Sequence, residues 1–127
     1  MKKVFATDNA PAAIGPYSQA VRGGDYAFVS GQLPIDPATG EFAGSDIKSQ
    51  TEQSLKNIKA ILESEGLSMA NVVKTTVLLD NIADFGAMNE VYATFFSGAC
   101  PARAAFEVAA IPKGALVEIE AIVYCGE

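Results

Sequence analysis

The spacing of apolar residues predicts two amphipathic helices. Between about Asp46 and Glu65 apolar positions recur every three or four residues, and Gly66 is well placed to end that helix. A second stripe at helical spacing begins after Asp80 and Asn81, either of which is a candidate cap. The two stripes are Ile47, Leu55, Ile58, Ile61 and Leu62, and then Phe85, Met88, Tyr92 and Phe95. We interpret both as core-facing.

Short extended runs on either side of these helices predict strands. Segments 17–22 and 25–31 flank Gly23-Gly24-Asp25, which suits a hairpin turn. Residues 72–79 are mostly β-branched, so they are predicted to form a strand. The more apolar face of that strand carries Val73, Thr75, Val77 and Leu79.

Two further strands, 103–109 and 116–124, are separated by a segment whose Pro112 and Gly114 suit a turn. The order is therefore strands, helix, strand, helix, strand, strand. Two helices that must cover one face of a sheet, joined by short loops, predict one α+β domain over residues 1–127 with a two-layer sandwich architecture.

Charged residues interrupt the alternation of the last two strands. Period-two alternation puts one set of residues in the core: Ala104, Phe106, Val108, Val117, Ile119, Ala121 and Val123. The opposite set contains Arg103, Ala105 and Glu107, and then Leu116, Glu118, Glu120, Ile122 and Tyr124. If the two strands pair as a hairpin, an arginine and up to three carboxylates share one face. That face is either a solvated surface with an ordinary salt bridge or a functional site or subunit interface.

The composition limits the partners and the catalytic groups that the chain can use. Of 127 residues, 9 are basic and 15 acidic, and the formal charge of −6 argues against a nucleic-acid partner. The chain has no histidine, which removes the commonest general base and metal ligand, so no metal site is expected. Any catalysis must rest on carboxylates, Arg, Lys, Tyr, Cys or backbone groups.

The cysteines and the apolar segments bear on where the protein works. Cys100 and Cys125 lack metal or redox spacing, and we expect both to be reduced thiols. No apolar run is long enough for a membrane span or signal peptide, so the expected location is the cytoplasm, with no membrane partner. Other polar positions have bland interpretations: Tyr17 as strand packing, Ser30-Gly31 as a bulge, and Cys100 as a passive thiol rather than a nucleophile.

Several segments together resemble the reactive-imine deaminase family (RidA, formerly YjgF). The similar segments span the whole chain: NAPAAIGPYSQAV, FVSGQLPIDPATGE, VVKTTVLLDNIADF, the helix around Asn89, and PARAAFEVAAIPKGALVEIEAI. The last of these is the most specific.

The resemblance implies a chorismate-mutase-like α+β fold and a homotrimer with sites between subunits. It also implies hydrolysis of short 2-imino or enamine acids, 2-iminobutanoate and 2-iminopropanoate, to 2-keto acids and ammonia. Such imines are released by pyridoxal-phosphate serine and threonine dehydratases, which are the implied functional partners. No cofactor is implied for this chain itself.

The resemblance also implies roles for individual residues. Arg103 matches the arginine that holds the substrate carboxylate, and Glu118 matches the glutamate that positions or activates water. Glu120 is implied to be structural. The other matching substrate-site positions are Tyr17, Ser30, Gly31, Asn89 and the backbone of Ala105.

Two departures from the family pattern concern substrate preference. Ala105 stands where many members have cysteine, and the segment before Pro101 is short, with Cys100 where an aromatic residue often stands. Two other functions remain open: a non-catalytic, small-acid-binding trimer, and a ribonuclease or translation inhibitor. The acidic balance and absence of histidine disfavour the ribonuclease.

Overall fold

The chain folds into a mixed sheet with two helices on one face, as seen in a computed structural model that describes residues 1–126. Its strands are β1 (Lys3–Phe5), β2 (Ala20–Gly23), β3 (Tyr26–Gln32), β4 (Val72–Leu79), β5 (Ala102–Glu107) and β6 (Val117–Tyr124). Its helices are α1 (Ile47–Glu63) and α2 (Phe85–Ala93), and short 3-10 turns cover Met69–Asn71, Ile82–Asp84 and Pro112–Gly114. The predicted α+β class is confirmed, and β1 is an addition to it.

The strand order explains which residues can meet. The sheet runs β1-β2-β3-β6-β4-β5, and every neighbouring pair is antiparallel except β4 and β5. The hairpin considered for the last two strands does not form, because β4 lies between β5 and β6. β5 is the parallel neighbour of β4, and the chain passes from one to the other through α2, because two parallel strands need a crossover connection. β5 is thus an edge strand.

Helix α1 covers the centre of the sheet. The Asp46 carboxylate accepts a hydrogen bond from the Ser49 backbone N–H at 3.0 Å, which caps the amino end. Gly66, with φ 74°, supplies the left-handed turn after the helix. The apolar stripe of α1 is buried as predicted, and so is the predicted core face of β6.

Helix α2 is shorter and lies toward β5. Asn81, one of the two candidate caps, accepts a hydrogen bond from the Ala83 N–H at 2.9 Å and so caps the 3-10 turn that precedes α2. Met88 and Tyr92 are buried, while Phe85 and Phe95 pack partly buried against the core. Among the described residues no helix is long and apolar enough to cross a membrane.

The predicted face of one strand is wrong, and that of another is wrong at a single position. Val73 is 41% exposed because the β4–β6 register shifts between Val72 and Lys74, although Thr75, Val77 and Leu79 are buried as expected. On β5 the faces are inverted: Phe106 is 48% exposed, and Ala105 packs against the core instead. The reason is register, since Ala105 lies opposite the buried Val77 and Phe106 opposite Leu78.

The sheet has a second face that neither helix covers, here called the open face. It carries large apolar side chains in two rows that the β-register aligns: Val21, Phe28 and Ile122 across β2, β3 and β6, and Leu78 and Phe106 across β4 and β5. Tyr26 and Tyr124 form an edge-on aromatic pair on the same face, with centroids 5.4 Å apart. An apolar face of this kind is typical of a subunit interface.

Candidate functional site

Arg103 lies on the helix-covered side of β5. Its β4 neighbour in the register is Thr75, which is buried, so the guanidinium points toward α2. Nη1 of Arg103 donates a 2.6 Å hydrogen bond to Oδ1 of Asn89, one helical turn into α2. Asn89 therefore fixes one edge of the guanidinium.

Two aromatic rings support the same guanidinium. The Arg103 Cζ lies 4.8 Å from the Tyr92 ring centroid and 5.3 Å from that of Phe85. Both distances are within the range of a cation–π interaction. We call Arg103, Asn89, Phe85 and Tyr92 the arginine half-site.

The arginine half-site is poised to bind an anion. Within residues 1–126, Arg103 has no carboxylate partner, and its Nε and Nη2 have no hydrogen-bond acceptor. Glu107, four residues further along β5 and on the same face, instead accepts a hydrogen bond from the Ile82 backbone N–H at 2.9 Å. A planar fork with free donors and neutral neighbours suits a substrate carboxylate.

Glu118 lies on the open face. Its neighbours along β6, Val117 and Ile119, are fully buried under the helices, so alternation directs the Glu118 side chain the other way. Leu78 lies beside it on β4. Burial, with a smaller contribution from the nearby Glu120 carboxylate, raises the pKa of Glu118 above its usual 4.5.

Gly31 makes room for the Glu118 carboxyl group. A Cβ at position 31 would lie 3.0 Å from the Glu118 carboxyl carbon and would overlap one of its oxygens. The β3–β6 register shifts between Val29 and Gln32, so Ser30 and Gly31 form the bulge that the sequence allows. Position 31 must therefore remain glycine to keep this geometry.

Ser30 connects this bulge to the loop that carries Tyr17. Its Oγ donates to the Ser18 carbonyl at 2.6 Å, and its N–H donates to the Gln19 carbonyl at 2.9 Å. Tyr17, directly before Ser18, is 53% exposed. Ser30, Gly31 and Glu118 lie together, and Tyr17 is joined to them through Ser18; we call these four residues the glutamate half-site.

Buried Gln19 holds the Tyr17 loop together, and the sequence did not indicate it. Its Nε2 donates to the carbonyls of Thr7, Ala10 and Pro11, and its Oε1 accepts from the Thr7 N–H. The Phe85 and Tyr92 platform was also missed, because an apolar stripe on a helix indicates core alone. Only the position of Arg103 on the helix side of β5 could have indicated these two rings, and the alternation pattern placed Arg103 on the opposite face.

The two half-sites lie on opposite faces of the sheet. Arg103, Ala105 and Glu107 face the helices, while Glu118 and Glu120 face the open side. The predicted grouping of arginine and carboxylates on one face is therefore wrong for a single protomer. One protomer, in this conformation, does not bring Arg103 and Glu118 to the same small molecule.

Other candidate chemistry is absent from the described residues. Within residues 1–126 no three side chains of the metal-binding types converge on a point. Cys100 is exposed in the loop before β5, and Cys125 is partly buried; both thiols are free. A groove of about 640 Å³ between α1 and α2 contains none of the predicted site residues.

Comparison with known proteins covers nearly the whole chain. The sequence model described as Endoribonuclease L-PSP matches residues 7–125. A RutC family protein of Pyrococcus horikoshii is 56% identical over 98% of both chains. The 2-iminobutanoate/2-iminopropanoate deaminase of Mus musculus is 50% identical over 99% of this chain and 93% of its own length.

A solved structure shows the same fold. The crystal structure of E. coli TdcF with bound serine superimposes with a TM-score of 0.93, at 42% identity, covering 98% of this chain and 99% of that one. Together with the sequence match, this similarity shows that the chain belongs to the endoribonuclease L-PSP family, the YjgF/RidA family that its sequence resembles.

Proposed function

We propose that the protein is a hydrolase that deaminates 2-iminobutanoate and 2-iminopropanoate to the corresponding 2-keto acids and ammonia. The observation that carries this proposal is the similarity to the mouse deaminase, which extends over 99% of this chain at 50% identity. The two half-sites supply what the reaction needs: a cation for the substrate carboxylate and a carboxylate for the attacking water.

The active site lies between subunits of a homotrimer. In this assembly the arginine half-site of one protomer faces the glutamate half-site of its neighbour. Two observations support it: the half-sites occupy opposite sheet faces, and the open face exposes apolar side chains such as Phe28, at 52%. Closed cyclic assemblies join two different patches of identical subunits in this way.

Substrate binding begins at the carboxylate. Arg103 binds it through the donors that Asn89 leaves free, and the Ala105 backbone lines the same side of the cleft, while Gly31 lines it from the neighbouring subunit. Tyr17 and Ser30 border the substrate from the neighbouring subunit. Fixing one end of a three- or four-carbon imine places its C=N carbon over the glutamate half-site, and such positioning lowers the barrier.

Glu118 then moves the protons. Its carboxylate takes a proton from water as the water oxygen bonds to the iminium carbon, and the C=N electron pair passes to nitrogen. The protonated Glu118 returns a proton to that nitrogen, and the C–N bond breaks with release of ammonia. As the C=O forms, the hydroxyl proton passes to the Glu118 carboxylate and from there to the ammonia, which leaves as ammonium. The balance is one iminium acid and one water in, one keto acid and one ammonium ion out. Arg103 and Glu118 are thus the catalytic pair.

The substrate chemistry indicates the setting. Free 2-imino acids arise when pyridoxal-phosphate serine and threonine dehydratases release their products, and they hydrolyse spontaneously. The enzyme removes these reactive species where they form, which places it in the cytoplasm beside those dehydratases. The hydrolysis uses water, Arg103 and Glu118, and it calls for no cofactor in this chain.

The alternatives are less well supported. A binding-only trimer is compatible with the serine bound in TdcF, but the mouse and rat relatives, at 50% and 51% identity, are named as deaminases. The family model is described as an endoribonuclease. RNA cleavage by this chain would have to proceed without histidine and against a net charge of −6.

A competition assay tests the deaminase proposal. A threonine or serine dehydratase generates the imine in situ, and semicarbazide competes for it. We expect the purified protein to raise 2-ketobutanoate or pyruvate at the expense of the semicarbazone. Unchanged product partitioning with both imines, in a protein shown to be folded and trimeric, would refute the proposed activity.

A further inference from the structure

We propose that Tyr92, held in place by Thr75, is a positioning residue for the carboxylate clamp. This inference deepens the proposed function and rests on it. The Tyr92 ring fixes the plane of the Arg103 guanidinium, and the Thr75 hydroxyl fixes the Tyr92 ring.

The contacts form a connected chain from the sheet to the guanidinium. Thr75 Oγ1 and the Tyr92 hydroxyl are 2.6 Å apart, and both side chains are buried. The face of the Tyr92 ring lies 4.8 Å from the Arg103 Cζ. Thr75 and Arg103 are also direct neighbours across the parallel pair of strands. The tyrosine therefore bridges two adjacent strands on the helix side of the sheet.

This arrangement leaves the useful donors free. Asn89 accepts from Nη1, and the rings of Tyr92 and Phe85 lie against the Arg103 guanidinium, so Nε and Nη2 remain as an unused pair of donors. A pair of N–H groups in one plane is the geometry that a carboxylate binds with both oxygens. An aromatic support holds the guanidinium without competing for these donors, whereas a carboxylate support would occupy them.

The same reasoning separates the role of Tyr92 from ordinary packing. A core tyrosine could satisfy its hydroxyl anywhere, and its loss would lower stability alone. If Tyr92 orients Arg103, its loss must also weaken binding of a carboxylate. The effect must fall on KM for the imine and on the dissociation constant of a keto acid, with little change in kcat.

The test uses the full-length protein with three single variants, the double variant Tyr92→Phe/Thr75→Val, Arg103→Ala and one packing control. Tyr92→Leu removes the ring, Tyr92→Phe removes its hydroxyl, and Thr75→Val removes the hydroxyl's partner. Ile58→Val trims a methyl group from a fully buried residue of α1 and serves as the control for lost core packing. Each protein is assayed for kcat and KM, and its affinity for 2-ketobutanoate is measured by NMR titration.

We expect Tyr92→Leu to raise KM and the 2-ketobutanoate dissociation constant by about 3- to 30-fold. Tyr92→Phe and Thr75→Val should each raise them by about 2- to 10-fold. The double variant should resemble either single, because all three break the same bond. The Arg103 Nε–H resonance, shifted by the ring current of Tyr92, should move in Tyr92→Leu alone.

Two outcomes remain distinguishable. If the wild-type protein binds 2-ketobutanoate but deaminates nothing, the proposed activity fails, while the binding series still tests the positioning role. If KM and the dissociation constant in Tyr92→Leu match those of Ile58→Val, while Arg103→Ala abolishes binding, the positioning role is overturned.

Discussion

At the scale of single residues, the site depends on two charged groups in contrasting surroundings. Arg103 lies against aromatic rings and a neutral amide, so its charge is available to a ligand. Glu118 is half-buried with a second carboxylate nearby, and its pKa is raised. The first group is suited to binding an anion, and the second is suited to accepting a proton and returning it.

Replacing Arg103 should abolish carboxylate binding. We expect Arg103→Ala to lower kcat/KM by at least about 100-fold, because a charge-assisted bidentate contact is lost. Arg103→Lys should recover only a small part, since an ammonium group cannot form the planar fork. Steady-state kinetics with in situ imine measures both. Near wild-type kcat/KM in the lysine variant would show that charge alone suffices.

The raised pKa of Glu118 predicts the acid side of the pH profile. The carboxylate must be ionised to accept a proton from water, so kcat/KM should fall as pH drops through the Glu118 pKa, which lies above 4.5. Glu118→Gln should remove most turnover while leaving 2-ketobutanoate affinity within about 3-fold of wild type, since the amide is close in shape and the Arg103 clamp is intact. If kcat/KM of Glu118→Gln still fell at low pH as in the wild type, the general base would be another group.

The raised pKa of Glu118 also predicts an effect on stability. Whereas kcat/KM rises with pH, the contribution of Glu118 to folding stability falls as pH rises. Because the folded protein favours the neutral acid, Glu118 contributes stability below pH 4.5 that is lost as pH rises through the folded-state pKa. Glu118→Gln should therefore unfold at a higher temperature than wild type at pH 7, with the difference vanishing near pH 4. Thermal denaturation at fixed protomer concentration measures this. Equal melting temperatures at pH 7 would show that burial of Glu118 is not unfavourable.

At the scale of elements, much of the architecture follows from the sequence. The helices and β4 lie where hydrophobic spacing puts them, and Gly66 ends α1 as predicted. The prediction for the two faces of β5 is wrong: the apolar Phe106 faces the open side, while Arg103 faces the helices and lies over the Tyr92 ring. Alternation identifies two faces of a strand, but it cannot say which face is covered when both carry apolar residues.

The same limit applies to the site. The sequence, through its family resemblance, supplied the residues of the glutamate half-site and the Arg103 and Asn89 of the arginine half-site, but not the aromatic rings that support Arg103. It could not show that Arg103 and Glu118 lie on opposite faces, because that depends on β4 lying between β5 and β6. Strand order is set by the crossover through α2, which local patterns do not encode.

The loop before β2 provides a test of how an irregular element is held. Gln19→Glu should destabilise the protein by about 1–3 kcal/mol, because three backbone carbonyls lose their shared donor. Gln53→Glu, which removes a single hydrogen bond to Asn57, is the matched control and should cost less than about 1 kcal/mol. Urea denaturation compares them. Equal losses would mean that the loop does not depend on Gln19.

At the scale of the whole molecule, the central claim is that each active site needs two subunits. The sheet separates the arginine half-site from the glutamate half-site within a protomer. The apolar open face offers the surface on which a second copy can pack. Oligomerisation is then required for catalysis itself, beyond any contribution to stability.

Mixing two inactive variants tests this claim directly. Arg103→Ala subunits keep the glutamate half-site, and Glu118→Gln subunits keep the arginine half-site. Where these two intact half-sites face each other across a subunit interface, the active site is fully wild type. When the variants are co-expressed in equal amounts and assemble at random, about one quarter of all sites should be intact, since each half is functional with a probability of about one half. We predict that the co-expressed preparation as a whole shows roughly a quarter of wild-type deaminase activity. Mixed trimers no more active than either parent would contradict a site shared between subunits.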